Sequence, residues 1–277
     1  MTPLRTLLCA GTALALTAGT ANAAHLSTYS VDFTTLNDSG VTGGGMLTYD
    51  SEEQSLSLSL SFSGLVPNTP HPMHMHGLFD GGLTATGAPA LDSQTPTLDV
   101  DVDGDGKIET VEGAAAYGDV LLELVTTLEP APEDNPFAQL LMSDADGNAT
   151  YEMTFDFDDD EGIPLMSPVT MQEYAVEDLF PLAFREIVIH GLAFTDQEFA
   201  DGLGYAGPDG SMFEFDGECG DDLADTPIDG GCYVALLPVA SAEIMAMDPV
   251  PLPGAALFFL TAGAAGGAFR FGRRKTV

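Results

Sequence analysis

Ser55-Leu56-Ser57-Leu58-Ser59-Leu60-Ser61-Phe62-Ser63 alternates polar and apolar side chains without a break. Successive side chains of a strand point to opposite faces. This run therefore puts Leu56, Leu58, Leu60 and Phe62 on one buried face and the serines on a wet one. Weaker strand patterns cover 26–36, 41–49, 72–79, 120–127, 149–157, 185–194 and 233–247, punctuated by turn sequences such as Asn37-Asp38-Ser39-Gly40, Asp146-Gly147 and Asp209-Gly210. Short strands joined by loops rich in Gly, Pro and Asp predict an all-β fold, an antiparallel Greek-key sandwich or barrel with long acidic loops. Only 170–184 has a helical look, with Tyr174, Leu179 and Leu182 as apolar contacts.

The ends of the chain read as addresses. Arg5 precedes an apolar run from Leu7 to Ala18, and Ala21-Asn22-Ala23 offers a small-residue cleavage site, so 1–23 is expected to be a signal peptide. At the other end Val250-Pro251-Leu252-Pro253-Gly254 precedes an apolar run to Phe269, followed by Arg270, Arg273, Arg274 and Lys275. Turn, short hydrophobic helix and basic cluster in this order resemble the PEP-CTERM class of bacterial sorting signals. The turn is similar to its VPLPA-CTERM variant, with Gly254 in place of the usual alanine. The resemblance implies that 249–277 parks the protein in the inner membrane, basic end inside, until a sorting protease removes it. An uncleaved anchor is the alternative, and the charge placement obeys the positive-inside rule in either case. The chain is thus expected outside the cytoplasm, in the periplasm, at the cell surface or beyond, with 24–248 as one β domain.

Whole, the chain carries a formal charge of −36; between the two address segments Lys107 and Arg185 stand against all 43 acidic residues, a formal −41. Such a surface repels nucleic acid and anionic lipid and attracts cations. Cys219 and Cys232 are the cysteines of that segment, and in an oxidising compartment they are expected to form a disulfide, worth on the order of 3 kcal/mol for a loop of this length.

Asp101-Val102-Asp103-Gly104-Asp105-Gly106-Lys107-Ile108-Glu109-Thr110-Val111-Glu112 matches the twelve-residue EF-hand loop at its diagnostic positions. Asp101, Asp103 and Asp105 occupy positions one, three and five, and Gly106 the sharp turn. The Lys107 carbonyl falls at seven, Glu109 at nine and Glu112 at the bidentate twelve. Six oxygen donors at this spacing suit calcium. A β-prone approach and Gly113 directly after Glu112 predict a loop inserted between strands, not a helix-loop-helix sensor. Asp144-Ala145-Asp146-Gly147-Asn148 reads as a turn.

Three of the five histidines lie in His71-Pro72-Met73-His74-Met75-His76-Gly77, and a fourth, His190, follows Arg185-Glu186-Ile187-Val188-Ile189. On a strand His74 and His76 share a face, and Ile187 and Ile189 leave His190 on the face of Val188. Imidazoles so grouped suit copper or zinc; the alternative is a set of hydrogen-bonded structural histidines. Together with Gly64-Leu65-Val66-Pro67 and an apolar last strand opened by Cys232, these residues resemble the Cu/Zn superoxide dismutase fold and CHRD domains. The resemblance implies copper ligands at His74, His76 and His190, with His71 in support. The dismutase family's bridging histidine, further zinc-site histidines and guiding arginine near the last strand have no counterpart here, and superoxide, an anion, would approach a −41 surface slowly. The expected function is a non-catalytic, calcium-binding envelope or matrix module whose partner the sequence does not name. The alternative is a copper-dependent, dismutase-like oxidoreductase.

Overall fold

The computed structural model describes residues 25–102, 104–133, 135, 137–158, 162–200, 219–220 and 225–247. The segments expected to be a signal peptide and a sorting tail with a hydrophobic helix, together with Asp103, lie outside the described residues. The strands are β1 (Leu26–Asp32), β2 (Thr34–Thr35), β3 (Thr42–Asp50), β4 (Ser55–Ser63), β5 (Pro70–His71), β6 (Met73–Phe79) and β7 (Ala90–Leu91). After helix α1 (Thr110–Tyr117) come β8 (Asp119–Glu123), β9 (Leu141–Met142), β10 (Ala149–Asp156) and β11 (Glu186–Thr195), then α2 (Asp196–Ala200), β12 (Asp225–Ile228), β13 (Gly231–Glu243) and β14 (Met245–Ala246).

Among the described residues all strand pairs are antiparallel. One large sheet runs β10-β4-β3-β1-β14, a second runs β12-β13-β11-β6-β7, with β8 also on β6 and β2 on β13, and β5 pairs with β9 in a small third one. The decisive alternation holds: Leu56, Leu58, Leu60 and Phe62 are buried, while Ser59, Ser61 and Ser63 face solvent. Leu58 sits between Leu47 of β3 and Met153 of β10. From the second sheet Met73, Met75, Ile187, Ile189 and Val239 join the same hydrophobic cluster, so the inner faces of two antiparallel sheets share one core.

The helical expectation at 170–184 fails. This stretch makes an isolated bridge, Met166 to Glu173, and two 3-10 turns at Val176–Leu179 and Leu182–Phe184. Pro181 lacks the N–H a helix needs, and Tyr174, Leu179 and Leu182 reach the core without helical spacing. The loop expectation at the acidic motif fails in part, because α1 begins two residues before Glu112 and runs through Gly113. Glu109 precedes the helix, and the Glu112 carboxyl reaches back to accept the Glu109 N–H, a capping box strong enough to start a short helix despite the glycine. The Asp144–Asn148 turn is as expected, with Asp144 accepting the N–H groups of Asp146 and Asn148. Cys219 and Cys232 are joined in a disulfide.

Arg185, the larger of the two cationic side chains of the β domain, is 1% exposed. Its guanidinium donates to the carbonyls of Asp178 (2.7 Å), Leu78 (3.3 Å), Leu179 (3.3 Å) and Phe180 (3.4 Å) and lies 5.0 Å from the centre of the Phe79 ring. Burial lowers its pKa to about 10, which leaves it charged at neutral pH. It ties the 176–184 turns to the end of β6.

Replacing Leu58 by Ala should cost about 2–5 kcal/mol, since the transfer term and the cavity add. Ser59→Ala, one residue along on the wet face, should stay within about 0.5 kcal/mol of the parent. Urea unfolding of the two variants checks the alternation directly.

Candidate metal centre

The period of two that builds the core also builds the site. Met73 and Met75 of β6 point inward, so His74 and His76 stand on the opposite face; Ile187 and Ile189 of β11 do the same for Glu186, Val188 and His190. Antiparallel pairing sets Val188 against His74 and Glu186 against His76. At His190 the register of β11 against β13 shifts on both sides, an irregularity that re-aims its side chain. Gly191 follows with φ of 111°, and a Cβ there would come within 2.2 Å of the Tyr233 hydroxyl.

The three rings converge. Their centroids are separated by 5.1 Å (His74 and His190), 5.6 Å (His74 and His76) and 6.2 Å (His76 and His190). One ring nitrogen from each can be chosen so that all three lie within 4.8 Å of one another. His74 Nδ1, His76 Nε2 and His190 Nε2 are buried and make no hydrogen bond.

The opposite nitrogens of two rings are held. His76 Nδ1 donates to the Gly118 carbonyl (3.0 Å) and His190 Nδ1 to the Leu236 carbonyl (2.6 Å). A carbonyl only accepts, so these bonds place the proton on Nδ1 and leave a lone pair on each Nε2. Burial lowers the His76 pKa to about 4 and that of His190 to about 3. His74 is also pushed well below the usual range, by burial first and then by its two neighbours. At neutral pH the cluster is three uncharged imidazoles, the state in which histidine binds a metal.

His71 does not join them. Its Nδ1 donates to the His190 carbonyl (2.8 Å), and its Nε2 lies 3.0 Å from the Thr69 hydroxyl. What it touches is the backbone of His190, not the cluster of rings. The fifth histidine, His25, lies apart and pairs with Glu52 at 3.2 Å.

The acidic loop and α1 close over this face. The Thr110 hydroxyl donates to the same Leu236 carbonyl that holds His190, and the Tyr117 ring packs on the His76 ring at 4.5 Å. Asn37 clamps the loop to β13: its side chain donates to the Ile108 and Pro238 carbonyls, both at 2.9 Å, and accepts the Ile108 N–H at 2.7 Å. Gly118, φ 91°, makes the turn from α1 into β8, where a Cβ would strike the Gly77 carbonyl at 2.1 Å.

Within the loop, Asp101 accepts the N–H groups of Gly104 (2.6 Å) and Gly106 (2.9 Å), and Asp105 that of Lys107 (2.7 Å). Gly106 has φ of 88°, the left-handed conformation that position six of the motif requires. Glu112 accepts the Val102 N–H at 2.6 Å, folding position twelve back towards the loop's beginning, and Glu109 is buried below it. The Lys107 ammonium reaches the Asn37 carbonyl at 3.2 Å.

Three residues around the site escaped the sequence reading. Glu186 and Glu123 stand across the ladder from His76 and His74; for Glu186 the period of two had already implied the face of His190. Tyr117 carried no signal, since nothing local announces that its ring meets a histidine. No protein-family model matches the chain, and no curated protein matches it.

Glu186 carries a pH signature. Burial, ahead of all other causes, raises its pKa to about 7, against the bonds it accepts from Ser241 and Thr95. Between the ordinary carboxyl range and pH 7 the folded chain keeps a proton that the unfolded chain has lost. Its contribution is therefore full below about pH 4.5 and lost as pH rises to about 7. Relative to Glu186→Gln, the parent should lose on the order of 3 kcal/mol between pH 4.5 and pH 8, read by urea unfolding at each pH.

Proposed function

We propose that this chain is an exported, envelope-associated Greek-key β-sandwich that holds a copper or zinc ion at His74, His76 and His190, with calcium in the loop 101–112. One observation carries the reading: His74, His76 and His190 can each offer a ring nitrogen within 4.8 Å of the other two, and each of these rings keeps one buried nitrogen without a hydrogen-bond partner. A buried polar atom left unpaired costs about 1–3 kcal/mol, and three such atoms in one cluster are a costly arrangement unless something binds them. A borderline or soft cation does so. Bound there, copper would supply one-electron chemistry and zinc Lewis acidity.

Binding, without turnover of superoxide, is the role these residues favour. The segment between the address sequences has one arginine, Arg185, and its guanidinium is engaged by four carbonyls and an aromatic ring, so it cannot guide an anion. All five histidines have their places, and none is left to bridge to a second ion. The dismutase-like oxidoreductase remains the second reading, favoured by the three-ligand set, which leaves a coordination position open to a small molecule.

Calcium in the acidic loop would act on the same site from outside, since Gly118 at the end of α1 accepts from His76 and Thr110 at its start bonds the Leu236 carbonyl of β13 that accepts from His190. The signal peptide and the sorting tail account for the export and for a sorting protease as the processing partner at the inner membrane.

Elemental analysis of the exported protein, supplied with calcium, copper and zinc, should find one equivalent of transition metal that disappears in a His74→Ala, His76→Ala variant. Retention of calcium alone would sink the histidine reading. Calcium at 100 times its dissociation constant should add about 2.7 kcal/mol of stability. Glu112→Gln, which preserves the capping oxygen but not the charge, should lose most of that increment while keeping the transition metal.

A further inference from the structure

His76 also lines a small pocket of about 90 Å³ between α1, β8 and the segment 169–170. Its walls are the apolar side chains of Leu83, Val111, Ala114, Val120 and Val169. Polar groups at its margin are engaged elsewhere. The Thr110 hydroxyl donates to the Leu236 carbonyl, the Tyr117 hydroxyl to the Thr110 carbonyl (2.9 Å), and the Gly118 carbonyl accepts His76 Nδ1. The Asp119 carboxyl is encircled by donors: the Ser167 hydroxyl (2.6 Å), the Tyr174 hydroxyl (2.6 Å), the Thr170 hydroxyl and the Val120 N–H (2.9 Å).

Apart from the His76 ring, whose Nε2 makes no hydrogen bond, an occupant therefore finds neither a countercharge nor a free hydrogen-bonding group among these lining residues. A water held in place wants two to four polar partners, and an anion would meet the Asp119 carboxyl with no cation nearby. What remains is dispersion and the release of apolar surface from water, which favour a molecule that is small, uncharged and apolar.

We propose that this pocket binds a small, neutral, apolar molecule of the dioxygen size class and presents it beside the histidine cluster. Its connection to metal chemistry rests on the reading of His74, His76 and His190 as a metal site; the pocket itself does not. The same lining excludes superoxide as its occupant and separates this ligand class from the one a dismutase would use.

The test is methyl-detected NMR of the full chain under increasing xenon pressure, with and without zinc. Saturable shifts confined to the methyls of Val111, Ala114, Val120 and Val169, with those of Leu58 unmoved, are expected. Ala114→Leu should weaken xenon binding about tenfold or more by filling the space, and Val169→Leu provides the same test from the opposite wall should α1 not tolerate the first change. Shifts that stay linear in pressure and spread over the apolar surface, or that are the same in both variants as in the parent, overturn the proposal. Saturable xenon binding in a protein whose His76 signals ignore zinc would remove the metal reading and leave the pocket standing. A zinc response without saturable xenon binding would do the reverse.

Discussion

The antiparallel pairing of β6 with β11 is the constraint on which the rest depends. Each strand presents two large apolar side chains inward, Met73 and Met75 on one, Ile187 and Ile189 on the other, and those side chains fill the space between the two sheets. Because a strand turns alternate side chains to opposite faces, burying that row obliges His74, His76, Glu186 and His190 to share the outer face. A slip of one residue would put the histidines in the core and the methionines outside. Hydrophobic burial thus brings the three rings to one face without any direct attraction among the imidazoles.

Three uncharged rings packed together need an outer wall, and the acidic loop with α1 supplies it. Leu236 and Gly118 give their carbonyls to His190 and His76, Thr110 shares the first of these carbonyls, and Asn37 ties the loop to β13. Hydrogen bonds to backbone carbonyls hold the His76 and His190 rings in one tautomer, so Nε2 of each keeps its lone pair. The wall is attached to the site at several points, which makes the order of the loop and the order of the site one property.

Electrostatics divide the molecule in a different way. With 43 acidic residues in the chain and only Lys107 and Arg185 to oppose them in the β domain, a surface cation is scarce. One of the two is buried on carbonyls and the other lies against the Asn37 carbonyl. Neither builds a positive path to the histidines. The overall field draws cations and repels anions.

From the sequence alone came the strands, because the alternation in 55–63 and its weaker counterparts is a local property that each residue shares with its nearest neighbours. It also determined which histidines share a face, the spacing of the acidic loop, and the pairing of the two cysteines. The turns at 176–184 and helix α1 depart from the expectation for two reasons: burial of Tyr174, Leu179 and Leu182 outweighs local propensity in the first, and the Glu109–Glu112 capping box starts the second despite Gly113. Only the tertiary structure decided that His190 meets His74 and His76, that Tyr117 lies on His76, and that Arg185 is spent on the backbone. Those facts rest on strand register and on the packing of segments distant in the chain, which no local pattern encodes.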